Sequence, residues 1–459
     1  MSIQSELISY ITGVKYQDLP VSVIETTKKC VLDTLAAIIA GSTDEYIPEL
    51  VELVKGMGGR EECLIPIYGG KVPAPTAAFV NCTMARARDI DDAHYGGSGH
   101  LSATIVPSGF VISEYCRMFK GRPINGKDFI LANVIGADLI CRIAMAGYPF
   151  RGWTSETWGP FAVAAAGGKL LGFDGAKIRD VLGIAYARLC GNSQVYGEGA
   201  YTARLQNGFA GEGGVLAIVL AEHGLKGPEE ILEGTFGLFP LYFRGEYSRE
   251  LFLADLGRRF EGANVKLKLY PVAGGVQAAT HACIELAKKH EIKANNVKKV
   301  NISLNTFMKE GLGTEKKRKP ESIPDAQFSL YYGPAVGLLK GNVWLEDFTE
   351  QAIRRPDVLE MCRRIEVFAD PAKDSLKVHI PPTDVEIETK DGKRHKLHVE
   401  SIPGYPENPL SWAELNQKLK DCVPWSARPL SINNIDKISE MVEDLDRLDD
   451  VTAILEFLV

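Results

Sequence analysis

The sequence predicts a mainly α-helical protein carrying a smaller α+β domain. Three observations lead there. Residues 1–264 read as a succession of apolar-periodic and Ala-rich segments of helix length, strand-type patterns cluster between residues 265 and 404, and the helical pattern returns after Pro403-Gly404-Tyr405-Pro406 and runs to the end. The expected organisation is therefore a helical domain over 1–264, an α+β domain over 265–404, and C-terminal helices over 405–459.

The elements follow in order. Residues 5–13 and 19–41 are expected helices. In the second, Val23, Ile24, Thr27, Val31, Leu35 and Ile38 recur at helical spacing, and Gly41 is expected to stop it. Residues 46–57 form another amphipathic helix, Leu64–Tyr68 a short extended piece, and 74–88 an Ala-rich helix. From Thr104 to about Met118 the chain is apolar again, and further helices are expected over 126–147, 159–171, 178–190 and 208–223. In the α+β domain, 297–302 and 364–368 read as strands. Residues 385–389 and 396–400 alternate around Asp391-Gly392 as a hairpin. Helices interleave at 274–290, 329–339 and 345–353.

At 459 residues, two domains are the natural expectation. Hydrophobic content of 45% and charged content of 24% suit a soluble globular chain, and a formal net charge of −7 disfavours nucleic-acid binding. No uncharged apolar run reaches membrane-spanning length and no signal peptide stands out, so a cytoplasmic location is expected. The nine cysteines contain no C-x-x-C pair and read as reduced core thiols. No H-E-x-x-H or P-loop occurs. Gly208–Gly214 superficially resembles a dinucleotide loop but follows no strand, so the sequence points to no cofactor and no metal.

Between these helices lies a polar island, Arg86 to Pro107, reading RARDIDDAHYGGSGHLSATIVP. A folding core has no use for so many ionisable groups, because an unpaired buried charge costs several kcal/mol. Asp89, Asp91 and Asp92 offer acids, bases or anchors, while His94 and His100 exchange protons near neutrality. The bland alternative is a solvated loop with a hydrogen-bonded histidine.

The island resembles the H-A-x-D-x-D-D … G-H-P-S signature of the MmgE/PrpD family, which holds 2-methylcitrate dehydratase, cis-aconitate decarboxylase and iminodisuccinate epimerase. Other motifs fit in order across nearly the whole chain: Thr157-Trp158-Gly159-Pro160, Gly234-Thr235-Phe236-Gly237, Lys268-Leu269-Tyr270-Pro271 and Asp325-Ala326-Gln327-Phe328-Ser329. The resemblance implies a homodimer, with the α+β domain acting as a lid over the site. It also implies a small anionic carboxylic acid as substrate. His100 matches the active-site histidine, Asp89 and Asp91 the D-x-D that orients it, Lys268 a carboxylate-binding lysine, and Tyr332 the active-site tyrosine.

Departures accompany the likeness. Gly152-Trp153-Thr154-Ser155-Glu156-Thr157 lacks the histidine of G-[FW]-H-x-T. Ala203-Arg204-Leu205-Gln206-Asn207-Gly208 has alanine and glutamine where K-x-L-H-x-G has lysine and histidine, and Arg86 replaces a usual histidine. Arg204 is expected to restore the positive charge from the next position. Arg86, Arg204, Gln206 and His94 are thus the candidate substrate contacts, with Glu156 a further local candidate. The expected function is a cofactor-independent lyase of dehydratase type acting on a small di- or tricarboxylic acid. The alternatives are an epimerase, a decarboxylase, or a carboxylate-binding member without chemistry.

Overall fold

The computed structural model describes residues 2–94, 99–147, 152–376 and 380–459. The glycine run of the island, Gly96-Gly97, lies outside the described residues. Contacts group the chain into two compact units. The first comprises residues 1–193, 204–265 and 411–459; the second comprises 194–203 and 266–410. The protein is mainly helical with a smaller α+β unit, as the sequence predicts.

The first unit is a helical assembly. Ile3–Gly13, Val21–Gly41, Ile47–Met57, Ala74–Arg86, Ser102–Lys120, Gly126–Ala146, Ser155–Leu170 and Gly175–Tyr186 precede the long helix Thr202–Glu222. Trp412–Cys422 and Ile432–Glu443 return to this unit and pack on Val21–Gly41. Gly41 does not stop its helix as a left-handed cap. It is the last helical residue, and a Cβ there would sit 2.0 Å from the Met84 carbonyl oxygen. The glycine therefore lets Val21–Gly41 and Ala74–Arg86 cross closely, at the end of the helix that delivers Arg86.

Gly126–Ala146 is long and apolar enough to span a membrane by composition, yet 83% of its most apolar window is buried within the protein. Its own charges explain the setting. Arg142 Nε donates to Asp138 Oδ2 at 2.7 Å, one turn away, and its other nitrogens donate to the carbonyls of Phe252, Ala254 and Arg259. Glu261 N–H returns to Asp138 Oδ1 at 2.8 Å. A buried ion pair satisfied this completely acts as a structural clasp for the 252–261 loop.

In the second unit a four-stranded sheet runs in the order Ile365–Ala369, Val297–Leu304, Thr383–Thr389, Arg394–Val399. The first pair is parallel, with Val300 opposite Ile365; the other two are antiparallel, with Ile302 opposite Val385 and Val385 opposite Leu397. Thr383–Thr389 alternates buried and half-buried positions along its length, the period-2 signal its sequence carried. Gly274–Lys289 covers one face and packs against Tyr332–Lys340.

Two expected elements differ. Leu64–Tyr68 is a strand only at Cys63–Leu64, because the chain turns at once through Ile67 (φ 70°) and Gly69 to bring Lys71–Val72 back as its partner. Residues 345–353 form two separate 3-10 turns, Leu345–Asp347 and Ala352–Arg354, rather than a helix. The Asp347 carboxylate accepts from Trp344 N–H at 3.1 Å, the reach-back of a capping box at the start of the first turn.

Candidate active site

The Ala74–Arg86 helix ends at the island, and Asp89 then takes a left-handed backbone (φ 58°). Short polar side chains tolerate that conformation. The reversal returns the Asp89 carboxylate to Arg86, three residues earlier, where Arg86 Nη1 donates to Asp89 Oδ1. The same Nη1 lies 3.4 Å from Asp91 Oδ1. Arg86 Nη2 is 3.0 Å from His100 Nε2, and His100 Nδ1 is 2.8 Å from Asp91 Oδ2. The side chains of Arg86, Asp89 and Asp91 are fully buried, whereas His100 keeps 16% of its side chain exposed.

This pattern assigns the imidazole tautomer. A guanidinium has donors and no acceptor, so Nε2 must accept. Nδ1 therefore carries the hydrogen and donates to Asp91. Two further helices hold the backbone of His100. Its N–H donates to Ser155 Oγ at 3.1 Å, and Asn207 Nδ2 reaches its carbonyl at 3.4 Å and Thr104 Oγ1 at 2.9 Å. Ser155 and Asn207 carried no local signal; Asn207 is the unassigned position of the 203–208 stretch.

Asp92 points elsewhere. Its carboxyl accepts from both the backbone N–H and the hydroxyl of Ser102, at the start of the Ser102–Lys120 helix. Complete burial raises its pKa to about 7 against the pull of Ser102, with Asp91 and Asp33 adding to the rise. Arg88 also leaves the cluster: it donates to Ala40 and Thr43 and pairs with Asp44 at 3.2 Å. Beneath the island, Lys418 Nζ bonds Asp33 Oδ1 at 2.6 Å and the Ile90 carbonyl at 2.8 Å, tying the C-terminal helix to the loop.

The candidate contacts divide. Arg204 is 1% exposed, with Nη1 3.7 Å from Asp89 Oδ1, so it joins the cluster. Gln206 is engaged in structure: its oxygen accepts from Asn192 N–H at 2.6 Å. His94 is buried, and its backbone N–H bonds the Gly99 carbonyl at 2.8 Å. Glu156 is buried in the first turn of Ser155–Leu170.

Lys268 and Tyr332 lie in the second unit. Lys268 is 2% exposed, in a segment pinned by Gln277, whose amide donates to the carbonyls of Tyr270 and Val272. Two residues earlier, burial lowers the Lys266 pKa to about 7, with Nζ 3.7 Å over the Tyr405 ring. Tyr332 is fully buried and donates its hydroxyl to the Asp347 carbonyl at 2.7 Å. Its one O–H is thus engaged inside the unit, the geometry of a packing residue rather than of a substrate donor.

The ligand-type atoms of Asp89, Asp91 and His100 lie within 4.8 Å of one another, a grouping of the kind that holds a metal and one that the sequence reading did not find. Arg86 contacts all three, so its guanidinium stands where a cation would stand. Charge balance here comes from within the chain.

Fold and cluster together define a two-unit protein with an Arg–Asp–His cluster built into its helical unit. The model of the MmgE/PrpD N-terminal domain matches residues 5–250, and that of the MmgE/PrpD C-terminal domain matches 270–444. The chain belongs to the MmgE/PrpD family. It is 28% identical over 475 residues to a cis-aconitate decarboxylase of Aspergillus terreus, covering 99% of this chain and 96% of that one. It is 24% identical to the human cis-aconitate decarboxylase (100% of this chain, 94% of that one) and 23% identical to a cis-aconitate decarboxylase-like protein, oryM, of Aspergillus oryzae (100% and 97%).

Proposed function

We propose that this protein is a cofactor-independent lyase for a small di- or tricarboxylic acid, working by proton transfer at the carbon next to a carboxylate through His100. One observation carries the reading: a partly exposed imidazole whose Nδ1–H is held by a buried carboxylate, with the Nε2 lone pair turned toward a guanidinium. The buried Asp91 orients the ring and offsets the charge that forms when Nε2 takes a proton. Arg86 and Arg204 are cations suited to a substrate carboxylate and to the negative charge that develops on it. Asp89 orients these cations, since a carboxylate facing an anionic substrate repels it. Lys268 is the second unit's candidate carboxylate contact.

The imidazole in this state is a base, which favours proton abstraction followed by loss of a leaving group, as in dehydration. The names of the full-length relatives favour decarboxylation, in which the C–CO2 bond breaks and the resulting carbanion is protonated. Alanine at 203 and glutamine at 206 favour an acid other than those handled by members with lysine and histidine there. The nine unpaired cysteines suit a reducing cytosol, and a homodimer is part of this reading.

Proton NMR in heavy water, with a panel of citrate, 2-methylcitrate, cis-aconitate and iminodisuccinate, tests it. Loss of water, loss of carbon dioxide, and deuterium uptake without net conversion give distinct spectra. Turnover that persists in His100→Ala rejects His100 as the acid–base group. A protein that binds a panel acid and leaves it unchanged is the carboxylate-binding member without chemistry.

A further inference from the structure

Both nitrogens of His100 are engaged. Nδ1 donates to Asp91 at 2.8 Å, and Nε2 accepts from Arg86 Nη2 at 3.0 Å. A base whose only lone pair is already accepting a hydrogen bond cannot take a proton from carbon until that bond is given up. Arg86 is built to give it up. Its Nη1 is anchored on Asp89 and Asp91, so the guanidinium can turn Nη2 away from the imidazole without leaving its carboxylates. Arg204, 3.7 Å from Asp89, supplies a second cation to Asp89 during such a shift.

We propose that Arg86 is a positioning residue that masks His100 Nε2 in the resting protein and releases it when a substrate carboxylate takes over Arg86 Nη2–H. The proposal rests on the reading of His100 as the proton-transfer group. A carboxylate competes well for this donor, because it brings a full negative charge to the guanidinium and has two oxygens for its fork, where the neutral imidazole offers one lone pair. Approach is from the His100 side, the one partly exposed member of the four. The consequence is selective. An acid that carries a carboxylate within reach of Arg86 unmasks the base, and an uncharged analogue does not. A histidine at position 86, the residue usual in the resembled signature, cannot serve two carboxylates and the imidazole at once, so the device is tied to arginine.

Nitrogen NMR of the full chain labelled with 15N-histidine tests this, with His100 identified by the signals lost in His100→Gln. Succinate, citrate and cis-aconitate are titrated into wild type, Arg86→Gln and Arg86→Lys. In the resting wild type, Nδ1 is protonated and Nε2 is a hydrogen-bonded acceptor; at least one acid shifts the Nε2 signal. In Arg86→Gln the Nε2 signal starts at the released position and no acid moves it further. KM for a turned-over acid rises by about tenfold or more, the equivalent of one charge-assisted bond, and Arg86→Lys recovers part of the loss. An Nε2 signal that no acid moves in wild type overturns the proposal, and so does a shift of equal size in Arg86→Gln. The wild-type titration stands even if the variants fold poorly. Turnover without an Nε2 shift rejects the masking role and keeps the lyase; an Nε2 shift without turnover does the reverse.

Discussion

Asp91 Oδ2 accepts a hydrogen bond from His100 Nδ1 across 2.8 Å, and the carboxylate is fully buried while the imidazole reaches the surface. The buried carboxylate holds Nδ1–H and so keeps the imidazole in the tautomer whose lone pair is on Nε2. Asp91→Asn keeps the shape but removes the charge that offsets an imidazolium. We expect kcat to fall on the order of 10²–10⁴-fold, the range of general acid–base catalysis and its support. Steady-state kinetics on whichever acid proves to be turned over check this; a loss confined to KM assigns Asp91 to binding instead.

His100→Ala abolishes turnover and leaves the fold in place, because the ring is partly exposed and its backbone bonds to Ser155 and Asn207 remain. Thermal unfolding should shift by a few degrees, a cost of about 1–3 kcal/mol from the bonds lost to Asp91 and Arg86, with a cooperative transition retained. Collapse of the fold would make His100 a structural residue.

Asp92 imposes a pH dependence on stability. Its folded pKa, about 7, lies above the unfolded value of about 3.9. Between those values the folded state holds a proton that the unfolded state has released. Stability from this group is therefore greatest below pH 4, falls as pH rises from 4 to 7, and stays at its lower level above. Asp92→Asn should flatten that decline in urea unfolding measured at several pH values. An unchanged slope would place the titration elsewhere.

Lys418 and Asp33 form a buried pair at 2.6 Å, and Lys418 also holds the Ile90 carbonyl. Lys418→Met removes a buried counter-charge 2.6 Å from Asp33 and should cost about 3–5 kcal/mol. The double variant Asp33→Leu/Lys418→Met should be more stable than Lys418→Met alone, since no uncompensated charge remains. Activity should stay low in both, because Ile90 sits between Asp89 and Asp91 and its anchor is gone. Denaturant unfolding and activity, measured together, separate the two effects.

Tyr332→Phe removes one buried hydrogen bond and leaves the Asp347 carbonyl without it. A loss of about 1–3 kcal/mol is expected, with kcat and KM nearly unchanged. A large kinetic effect at unchanged stability would return Tyr332 to the substrate.

Much of the fold was legible in the residues. Helical periodicity located Val21–Gly41 and Gly126–Ala146, and Asp391-Gly392 between alternating runs located the Thr383–Thr389/Arg394–Val399 hairpin. Residues 345–353 carry apolar spacing of helical type but form two separate 3-10 turns, Leu345–Asp347 and Ala352–Arg354, because spacing alone does not distinguish successive short turns from one continuous helix. The helix ends at Gly41 as expected, but the glycine's close approach to the Met84 carbonyl is not visible in sequence, where a glycine needed for helix crossing looks the same as one that caps a helix.

The sequence by itself determined the order of helices and strands, the polar island, and the family, because these rest on local periodicity and on motifs a few residues long. Only the tertiary structure decided which charges meet. It sent Arg86 to His100 and Arg88 to Asp44, and it aimed Asp91 at the imidazole while Asp92 turned to Ser102. It brought Arg204 to Asp89 from more than a hundred residues away. Adjacent residues on an irregular loop point in directions set by one left-handed turn at Asp89 and by helices packed from elsewhere in the chain, and no local pattern encodes either.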